Sequence, residues 1–315
     1  MITIFTPTFN REHTLTRLYD SLKNQTNHGF EWIIVDDASQ DKTYDLIESF
    51  KARENQFDIV YIRQEHGGKH RAINKAVDYA KYDWFFIVDS DDFLTKNAVE
   101  LVGEWIRKYG DEEKLAALSG SRYDINRNMA MSVPTILSNN PGIKCLNHER
   151  YKFDLDSDKA EVYKTAVLKK YKFPEYNNEF FVTEAECWNR ISYDGYYTRF
   201  FPEAIYCCEY LTDGLTNSGA NTRKGFSKNY FGFLDYLNIL LKAKGCDWET
   251  INLTIFACRE RAKHKVSYKQ LAEKLNLEEK VLGLIYSKRF KVYFSKIILK
   301  FCKRLKIVFE PKIIG

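Results

Sequence analysis

The sequence of 315 residues lacks the features that mark several classes of protein. It has only 6 Pro and 15 Gly, which excludes collagen-like and low-complexity chains. Its seven cysteines form no C-x-x-C pair, so zinc-ribbon and thioredoxin interpretations have no support. No apolar run approaches the ~18–20 residues that cross a bilayer. No basic leader precedes the first strand pattern, and we therefore expect a cytoplasmic protein.

The sequence also lacks a large excess of charge of one sign. Lys and Arg total 48 against 43 Asp and Glu, which leaves a formal charge of +5. This balance gives no indication of nucleic-acid binding, and we expect no nucleic-acid partner. The 22 Phe and 21 Tyr supply ample apolar surface for a core, which excludes general disorder.

Strand-like and helix-like patterns alternate through the first 120 residues. Four apolar runs are each followed by apolar residues at helical spacing, and these runs are Ile2–Phe5, Glu31–Val35, Asp58–Ile62 and Trp84–Val88. The alternation predicts an α/β fold with a Rossmann-like, mostly parallel central sheet and helices on both faces. Later in the chain a helix is predicted at 183–194, and short strands at 116–119, 160–163, 198–201 and 204–208.

A stretch rich in glycine and asparagine near residue 220 predicts a domain boundary. We expect a catalytic domain over 1–220 and a helical C-terminal region over 221–315. Residues 287–312, here called the basic tail, carry nine Lys or Arg and one acid, interleaved with apolar side chains. An anionic membrane surface attracts such a helix, although a helix that packs its apolar side on the protein body has the same pattern. Both interpretations stay open.

Polar residues follow each of the four predicted strands, and six of them are carboxylates. In an open parallel sheet, ligands bind beyond the carboxyl ends of the strands. Repulsion among six carboxylates at one edge has to be offset by a cation or by ligand donors.

The acidic segment Asp89–Asp92 is the strongest signal. Alternate residues of an extended segment face the same way, so we expect Asp89 and Asp91 to reach one site. Hard oxygen ligands at a strand end suit Mg²⁺ or Mn²⁺ that is shared with phosphates. A P-loop is absent, but Gly67–Lys69 offers backbone amides at a helix start and a positive charge.

These segments resemble inverting family 2 glycosyltransferases of the GT-A fold, of the bacterial polysaccharide or capsule type. The matching segments are Thr6–Arg11, Val35–Ser39, Gly67–Asn74 and Val88–Asp92. The resemblance continues in order and spacing to about residue 215 and is most specific in the first 100 residues.

The resemblance implies the residues of a nucleotide-sugar site. The positions that match the family's nucleoside and donor contacts are Pro7, Phe9, Asn10, Asp36, Asp37, Lys69, Asn74, Asp89 and Ser90. Asp91 and Asp92 match the ligands of Mn²⁺ or Mg²⁺. The family's metal-binding histidine after a late strand is absent. Either Glu209 replaces it, or the acidic segment and the phosphates hold the metal alone.

The family's general base lies near a Glu-Asp pair that opens a later helix. The matching segment here is Val182–Glu186, in which Ala185 replaces the usual second acid. Glu184 is therefore the first candidate for the base and Glu186 the second. The two cannot share one helix face, because a two-residue spacing turns them apart. A first-turn acid also stabilises a helix dipole, so a purely structural role for Glu184 remains open.

The implied activity is inverting, metal-dependent transfer of a sugar from a nucleotide sugar, by family habit a UDP-sugar. The acceptor would be a hydroxyl of a glycan or lipid-linked molecule in cell-surface polysaccharide synthesis, on the cytoplasmic face of the membrane. A sugar-phosphate nucleotidyltransferase is an alternative, although it would need a Gly-rich loop with Arg near the N-terminus. A non-catalytic nucleotide-binding scaffold is the other alternative, because of Ala185.

Overall fold

The structure is a computed structural model that describes residues 1–126, 129–130, 133–209, 219, 222–245 and 247–286. The chain divides into two compact units. The first unit comprises residues 1–173 and 187–218, and the second unit comprises 174–186 and 219–315. The second unit therefore includes a segment, 174–186, that lies well before the boundary predicted near residue 220. The basic tail lies outside the described residues.

Ten strands in the described part of the first unit form one mixed sheet. They are β1 (Ile2–Thr8), β2 (Phe30–Asp36), β3 (Asp58–Arg63), β4 (Trp84–Ile87), β5 (Phe93–Leu94), β6 (Leu115–Asp124), β7 (Met129–Ala130), β8 (Ile143–Cys145), β9 (Ala160–Lys164) and β10 (Tyr197–Cys208). The order across the sheet is β3-β2-β1-β4-β9-β6-β10-β5, with β7 beside β6 and β8 beside β10.

The helices follow the predicted alternation at the N-terminal end and dominate the C-terminal end. The chain up to residue 209 contains α1 (Glu12–Lys23), α2 (Thr43–Arg53), α3 (Lys69–Tyr79), α4 (Ala98–Tyr109), α5 (Thr135–Asn139), a 3-10 helix (Asn147–Phe153), α6 (Thr165–Lys170) and α7 (Glu184–Tyr193). Beyond that point lie α8 (Arg223–Lys228), α9 (Tyr230–Lys244), α10 (Trp248–Glu260), α11 (Tyr268–Lys274) and α12 (Glu279–Tyr286).

The parallel part of the sheet is the part that the βα pattern predicts. β1 pairs in parallel with β2 and β4, and β2 pairs in parallel with β3. β6 and β10 are also parallel. Between these two groups, β9 runs antiparallel to both β4 and β6. The sheet is therefore more mixed than expected, because the βα repeat that imposes parallel pairing ends after α4.

β10 is one strand, whereas the sequence predicts two. Its pairing with β6 continues from Tyr197 to Cys208 but changes register between Phe200 and Ala204. Pro202 lies at this irregularity. Because proline has no N–H to donate, it interrupts the ladder locally, and a bulge absorbs the change without ending the strand.

Burial explains why these segments adopt these structures. Every residue of β2 is buried, as expected for a strand whose two sheet faces are covered. α1 buries Leu15, Leu18 and Leu22, which recur at the spacing of one helix face. The main core of the first unit lies between the sheet and such helix faces.

The second unit has its own apolar core. Phe233, Leu237 and Leu241 of α9 pack with Leu271 and Leu282 from the later helices. α10 and α11 each begin with a capping box, at Asp247 and Ser267 respectively. Among the described residues, no helix has both the length and the apolar character needed to span a bilayer.

Candidate active site

Most of the predicted site residues of the first unit lie at or after the carboxyl ends of β1, β2, β3 and β4, whereas Glu209 follows β10. The parallel register aligns Thr8 with Asp36 and Asp36 with Arg63. It also aligns Phe5 with Ile87, so the segment after β4 leaves the sheet beside β1. These four strand ends therefore deliver their following segments to one edge of the sheet, where ligands bind in open α/β folds.

Asp36 shapes the turn after β2. One oxygen of its buried carboxylate accepts a hydrogen bond from the Ser39 backbone N–H at 2.7 Å, and the other accepts one from the Tyr61 hydroxyl at 2.7 Å. Burial, together with this bond to Asp36, raises the pKa of Tyr61. The turn places Ala38 at a positive φ of 69°. Asp36 is thus fully engaged in holding the backbone of this edge.

Asp37 organises the glycine loop that leads into α3. Its Oδ1 accepts hydrogen bonds from the Gly67 N–H and from Gln64 Nε2, both at 2.8 Å. Its Oδ2 accepts a bond from the Gly68 N–H at 2.8 Å and lies 3.0 Å from His66 Nδ1. Gly68 has a φ of 91°, which favours glycine over residues with a Cβ. The carboxylate therefore fixes the direction in which α3 begins.

Phe9 and His66 form an aromatic pair at this edge. Their ring centroids are 4.6 Å apart, and the two side chains are about half exposed. The backbone behind Phe9 is held by Asn10, whose N–H donates to Ser39 Oγ at 2.8 Å and whose side-chain oxygen accepts from the Gln40 N–H at 2.7 Å. The pair offers a flat, accessible surface that suits stacking of a planar ring.

The acidic segment is a turn, which corrects the extended geometry assumed from the sequence. The Asp92 N–H donates to the Asp89 carbonyl oxygen at 3.1 Å, so the chain reverses before β5. Lys69, the first residue of α3, pairs with Asp89 Oδ1 at 2.5 Å. Burial acts to raise the pKa of Asp89, but the Lys69 ammonium outweighs it and holds this pKa below its usual value.

The other two acids of the turn differ from Asp89. Asp92 is buried, and its carboxylate accepts hydrogen bonds from the Tyr206 hydroxyl at 2.8 Å and the Glu209 N–H at 3.2 Å. Burial and the neighbouring Asp89 raise the pKa of Asp92 to about 7. Burial and Asp89 likewise raise the pKa of Asp91. The turn therefore concentrates negative charge around Asp91, and a cation there would lower the repulsion.

Glu209 is held by an arginine that the sequence interpretation did not single out. Arg17 of α1 pairs with Glu209 Oε2 through Nη1 at 2.5 Å and donates from Nη2 to the Asp91 carbonyl oxygen at 2.6 Å. Its guanidinium lies 5.0 Å from the centre of the Phe93 ring. The carboxylate that the sequence offers as a metal ligand is therefore engaged in an ion pair. Arg17 belongs to no motif, so no pattern in the sequence reveals this contact.

Asn74 is used to hold the chain in place. Its side-chain nitrogen donates to the Phe173 carbonyl oxygen, and its side-chain oxygen accepts from the Phe173 N–H, both at 2.9 Å. This pair of bonds joins α3 to the segment after α6. A contact of Asn74 with the base of a nucleotide stays a prediction, as does the role of Pro7. Ser90 is buried within the acidic turn.

The two candidate bases belong to the second unit. α7 begins at Glu184, and Glu186 follows in its first turn. The Glu186 N–H donates to the Thr183 carbonyl oxygen at 3.0 Å. Glu186 is buried with 3% of its surface exposed, whereas Glu184 is partly exposed. Of the two carboxylates, Glu184 is thus the one with solvent access.

A metal site made by the protein alone is not present in the described part of the chain. No group of three or more His, Cys, Asp and Glu side chains comes together there in a way that could hold an ion. A site that uses one or two carboxylates and completes its coordination with phosphate oxygens remains compatible with the acidic turn.

Comparison with known proteins places these features in context. The family model "Glycosyl transferase family 2" matches residues 3–172. TarS of Staphylococcus aureus, a poly(ribitol-phosphate) β-N-acetylglucosaminyltransferase, is 28% identical over 168 residues, which are 53% of this chain and 28% of that protein. The glycosyltransferase GlyA of Streptococcus pneumoniae is 29% identical over 130 residues, which are 41% of this chain and 18% of that protein. The chain thus spans less than a third of these two curated relatives.

Solved structures support the fold. A crystal structure of S. aureus TarS 1-349 in complex with UDP-GlcNAc matches with a TM-score of 0.61 and 18% identity, covering 97% of this chain and 92% of that one. The mannosyltransferase PcManGT of Pyrobaculum calidifontis, in complex with GDP-Man and Mn²⁺, matches with a TM-score of 0.54 and 15% identity, covering 97% and 86%. At these identities the likeness establishes the architecture alone, and that architecture is the GT-A fold.

Proposed function

This chain belongs to glycosyl transferase family 2, and on that premise we propose that it moves a sugar from a nucleotide sugar to a hydroxyl group of a glycan or lipid-linked acceptor. The observation that carries the proposal is the match over residues 3–172, which contains the carboxyl ends of β1, β2, β3 and β4. We favour a uridine diphosphate sugar as the donor, because the TarS structure with the same fold holds UDP-GlcNAc. Relatives named as poly(ribitol-phosphate) glycosyltransferases and as a teichuronic acid biosynthesis glycosyltransferase favour a cell-surface polysaccharide as the product.

Donor binding is assigned to the segments after β1, β2 and β3. The exposed pair of Phe9 and His66 is suited to stack against the base. Asp36 and Asp37 act by holding the turn and the glycine loop that border this surface. Lys69 starts α3 beside Asp89, so the positive end of the helix dipole and the ammonium would together favour a diphosphate.

The acidic turn fits a divalent cation that is shared with the donor. Asp91 provides hard oxygen ligands next to a second carboxylate, whereas Asp92 and Glu209 are engaged with Tyr206 and Arg17. We therefore assign Asp91 as the protein ligand, with diphosphate oxygens completing the coordination. Mn²⁺ or Mg²⁺ bound there would neutralise the charge that develops on the leaving nucleoside diphosphate.

Chelation tests this assignment. EDTA should abolish transfer, and added Mn²⁺ or Mg²⁺ should restore it. Asp91→Asn should lose both turnover and the Mn²⁺ binding that is measured by electron paramagnetic resonance in the presence of UDP. Full turnover in excess EDTA would overturn the proposed metal dependence.

The chemical step is assigned to Glu184. In a single displacement, the acceptor oxygen attacks the anomeric carbon while its proton passes to the Glu184 carboxylate. The bond from the anomeric carbon to the diphosphate oxygen breaks, and the leaving group departs with the electron pair. Attack opposite the leaving group inverts the anomeric configuration. The accessibility of Glu184 relative to buried Glu186 supports this choice.

A panel of nucleotide sugars tests the activity as a whole. Release of UDP from one UDP-sugar, in the presence of a divalent metal and with inversion in the product, is the expected result. A sugar-phosphate nucleotidyltransferase would release pyrophosphate from UTP instead. A nucleotide-binding scaffold would bind UDP and release nothing from any donor of the panel.

A further inference from the structure

The segment that carries Glu184 is fastened to the helices of the second unit by a buried carboxylate. Glu179 is 4% exposed. Its Oε1 accepts a hydrogen bond from the Phe231 N–H at 2.7 Å, and its Oε2 accepts one from the Gly232 N–H at 2.9 Å. These N–H groups belong to the first turn of α9, which has no intrahelical acceptors for them. Glu179, five residues before Glu184, thus accepts hydrogen bonds from two N–H groups at the N-terminus of α9.

A second contact runs in the opposite direction. The Asn229 side-chain oxygen accepts hydrogen bonds from the Phe180 N–H at 2.9 Å and the Phe181 N–H at 3.1 Å. The Asn229 side-chain nitrogen donates to the Gly225 carbonyl oxygen at 3.0 Å, which holds the amide in one orientation. The segment and the start of α9 therefore bind each other's backbone through one side chain each. Such reciprocal bonds leave little freedom to either partner.

The backbones also approach each other closely at Gly232. A Cβ at this position would lie 3.0 Å from Val182 Cγ2 and 3.3 Å from both Glu179 Oε2 and the Phe181 carbonyl oxygen. Val182 is buried and stands two residues before Glu184. A Cβ at residue 232 would therefore force these neighbours in the segment to move by a few tenths of an ångström.

A third set of contacts holds the beginning of the segment. The Tyr176 hydroxyl donates to an Asp235 carboxylate oxygen, and Lys274 forms an ion pair with the same carboxylate. Lys274 Nζ also donates to the Tyr176 hydroxyl at 3.0 Å. Asp235 lies on α9 and Lys274 on α11. Helices of the second unit therefore anchor the segment both at Tyr176 and at Glu179–Val182.

We propose that Glu179 and Asn229 are positioning residues for the reaction: they fix the backbone that leads into α7 and thereby set the position of the Glu184 carboxylate. This inference rests on the proposed role of Glu184 as the base. The contacts that hold Glu184 in this way all belong to the second unit.

Glu179→Gln tests the proposal in the full-length protein. The amide can accept one hydrogen bond but turns an N–H₂ toward the other helix N–H, so the segment should shift. Misplacement of a reacting group by about 1 Å costs roughly 10²-fold in rate, and we expect a fall in kcat approaching this size. The affinity for UDP, measured by calorimetry, should stay unchanged because the strand ends are untouched.

Asp247→Ala is the matched control. Asp247 also caps a helix of the second unit with its carboxylate, through a 2.8 Å hydrogen bond from the Thr250 N–H, but it makes this bond to α10 rather than to the segment. We expect Asp247→Ala to lower the thermal midpoint at least as much as Glu179→Gln while kcat changes less than about twofold. An equal loss of kcat in both variants would overturn the proposal, because it would make the effect one of general stability.

A double-mutant comparison tests whether Glu179 affects kcat through Glu184 or independently of it. If Glu179 acts through Glu184, then Glu184→Gln and the double variant with Glu179→Gln should have the same residual kcat. If Glu179→Gln lowers kcat by the same factor in both backgrounds, the proposal is overturned. If Glu184→Gln retains full activity, the base assignment fails and this inference fails with it. If Glu184→Gln is inactive and Glu179→Gln fully active, only this inference fails.

Gly232→Ala provides a second route in case Glu179→Gln does not fold. The added methyl group presses on Val182 and Glu179 without removing any hydrogen-bonding group. A lower kcat with unchanged affinity for UDP, and no further loss in the Glu184→Gln background, is the expected result. Wild-type kcat in folded Gly232→Ala would contradict the proposal.

Discussion

Three hydrogen-bond donors converge on the carboxylate of Asp37, two of them backbone N–H groups of consecutive glycines, and His66 Nδ1 lies 3.0 Å from its Oδ2. Such a carboxylate acts as a template around which the loop folds. Lys69 follows the glycines directly, so the ion pair between Lys69 and Asp89 depends on where the loop ends. The sequence suggests that Asp37 contacts the donor directly. In the structure, Asp37 instead holds the backbone of the glycine loop.

Asp37→Asn should weaken both the fold and the binding of donor. An amide nitrogen would face backbone N–H groups, and an unsatisfied buried donor costs about 1–3 kcal/mol. We expect a lower urea midpoint and a lower affinity for UDP by calorimetry. Asp45→Asn, at an exposed position of α2, is the control and should leave both unchanged. Equal behaviour of the two variants would show that Asp37 does not organise the loop.

Glu184→Gln should separate catalysis from binding. The substitution preserves size but removes the basic carboxylate, and positioned general-base catalysis is typically worth about 10²–10⁴-fold. We expect kcat to fall within that range while the KM for the donor changes little. Glu186→Gln, at a buried position on the same helix, should lose stability rather than kcat. The opposite pattern, with kcat lost only in Glu186→Gln, would move the base to Glu186.

At the scale of elements, Glu112 joins three parts of the first unit. It lies between α4 and β6, and it accepts hydrogen bonds from Arg199 of β10 at 2.8 Å and 2.5 Å and from the Tyr197 hydroxyl at 2.7 Å. Lys144 of β8 lies 3.5 Å away. The Arg199 hydrogen bonds lower the pKa of Glu112 to about 2. One carboxylate therefore fastens the edge of the sheet to the loop after α4.

The pH dependence of stability should report this contact. The folded-state pKa of Glu112 lies below its ordinary value of 4.5, so the ion pair stabilises the fold above pH ~5 and loses its effect as pH falls toward 2. Because the side chain is 28% exposed, we expect a discounted contribution of about 1–2 kcal/mol. Urea unfolding should show Glu112→Gln less stable than wild type at pH 7, with the difference shrinking as the pH falls toward 2. Glu113→Gln, exposed and adjacent, should show no such difference at either pH.

The sequence predicts well those helices and strands whose apolar residues recur at a regular spacing. The first four strands and the helices after them follow from alternating apolar runs, and the helix predicted at 183–194 is confirmed as α7. The antiparallel insertion of β9 was missed because pairing partners far apart in sequence leave no local pattern. The contacts of Arg17 with Glu209 and of Tyr206 with Asp92 were missed for the same reason.

At the scale of the whole molecule, composition and hydrogen bonding divide the chain differently. A change in composition suggests a boundary near residue 220, but the segment 174–186 is hydrogen-bonded to the start of α9, through the Phe180 N–H and through the Glu179 side chain. Glycine and asparagine content indicates where the chain turns. The unit to which a segment belongs depends instead on the residues that the segment contacts. The base candidate Glu184 thereby falls in the second unit, although it precedes the last strand of the sheet, β10, in sequence.

The basic tail gives the molecule a concentration of positive charge that the rest of the chain does not share. Nine Lys and Arg with one acid over 287–312 are interleaved with aromatic and aliphatic residues. Basic residues near an anionic surface contribute about 1 kcal/mol each, and apolar side chains between them can enter the headgroup boundary. We propose peripheral binding at the cytoplasmic face of the membrane, where a lipid-linked acceptor would be within reach.

Sedimentation with vesicles tests this proposal. The full chain should pellet with phosphatidylserine-containing liposomes at low salt and stay in solution at high salt, because screening weakens the attraction. Replacing Lys303, Arg304 and Lys306 by Gln removes about 3 kcal/mol of attraction, so we expect roughly 10²-fold weaker partition. The same replacement at Lys263, Lys265 and Lys269, in the second unit, is the control. UDP release should stay at the wild-type rate in both variants, since neither set belongs to the candidate site.

Equal partition of both variants and wild type would contradict membrane binding by the tail. Unfolding of the tail variant alone would show instead that this part of the chain packs on the protein body.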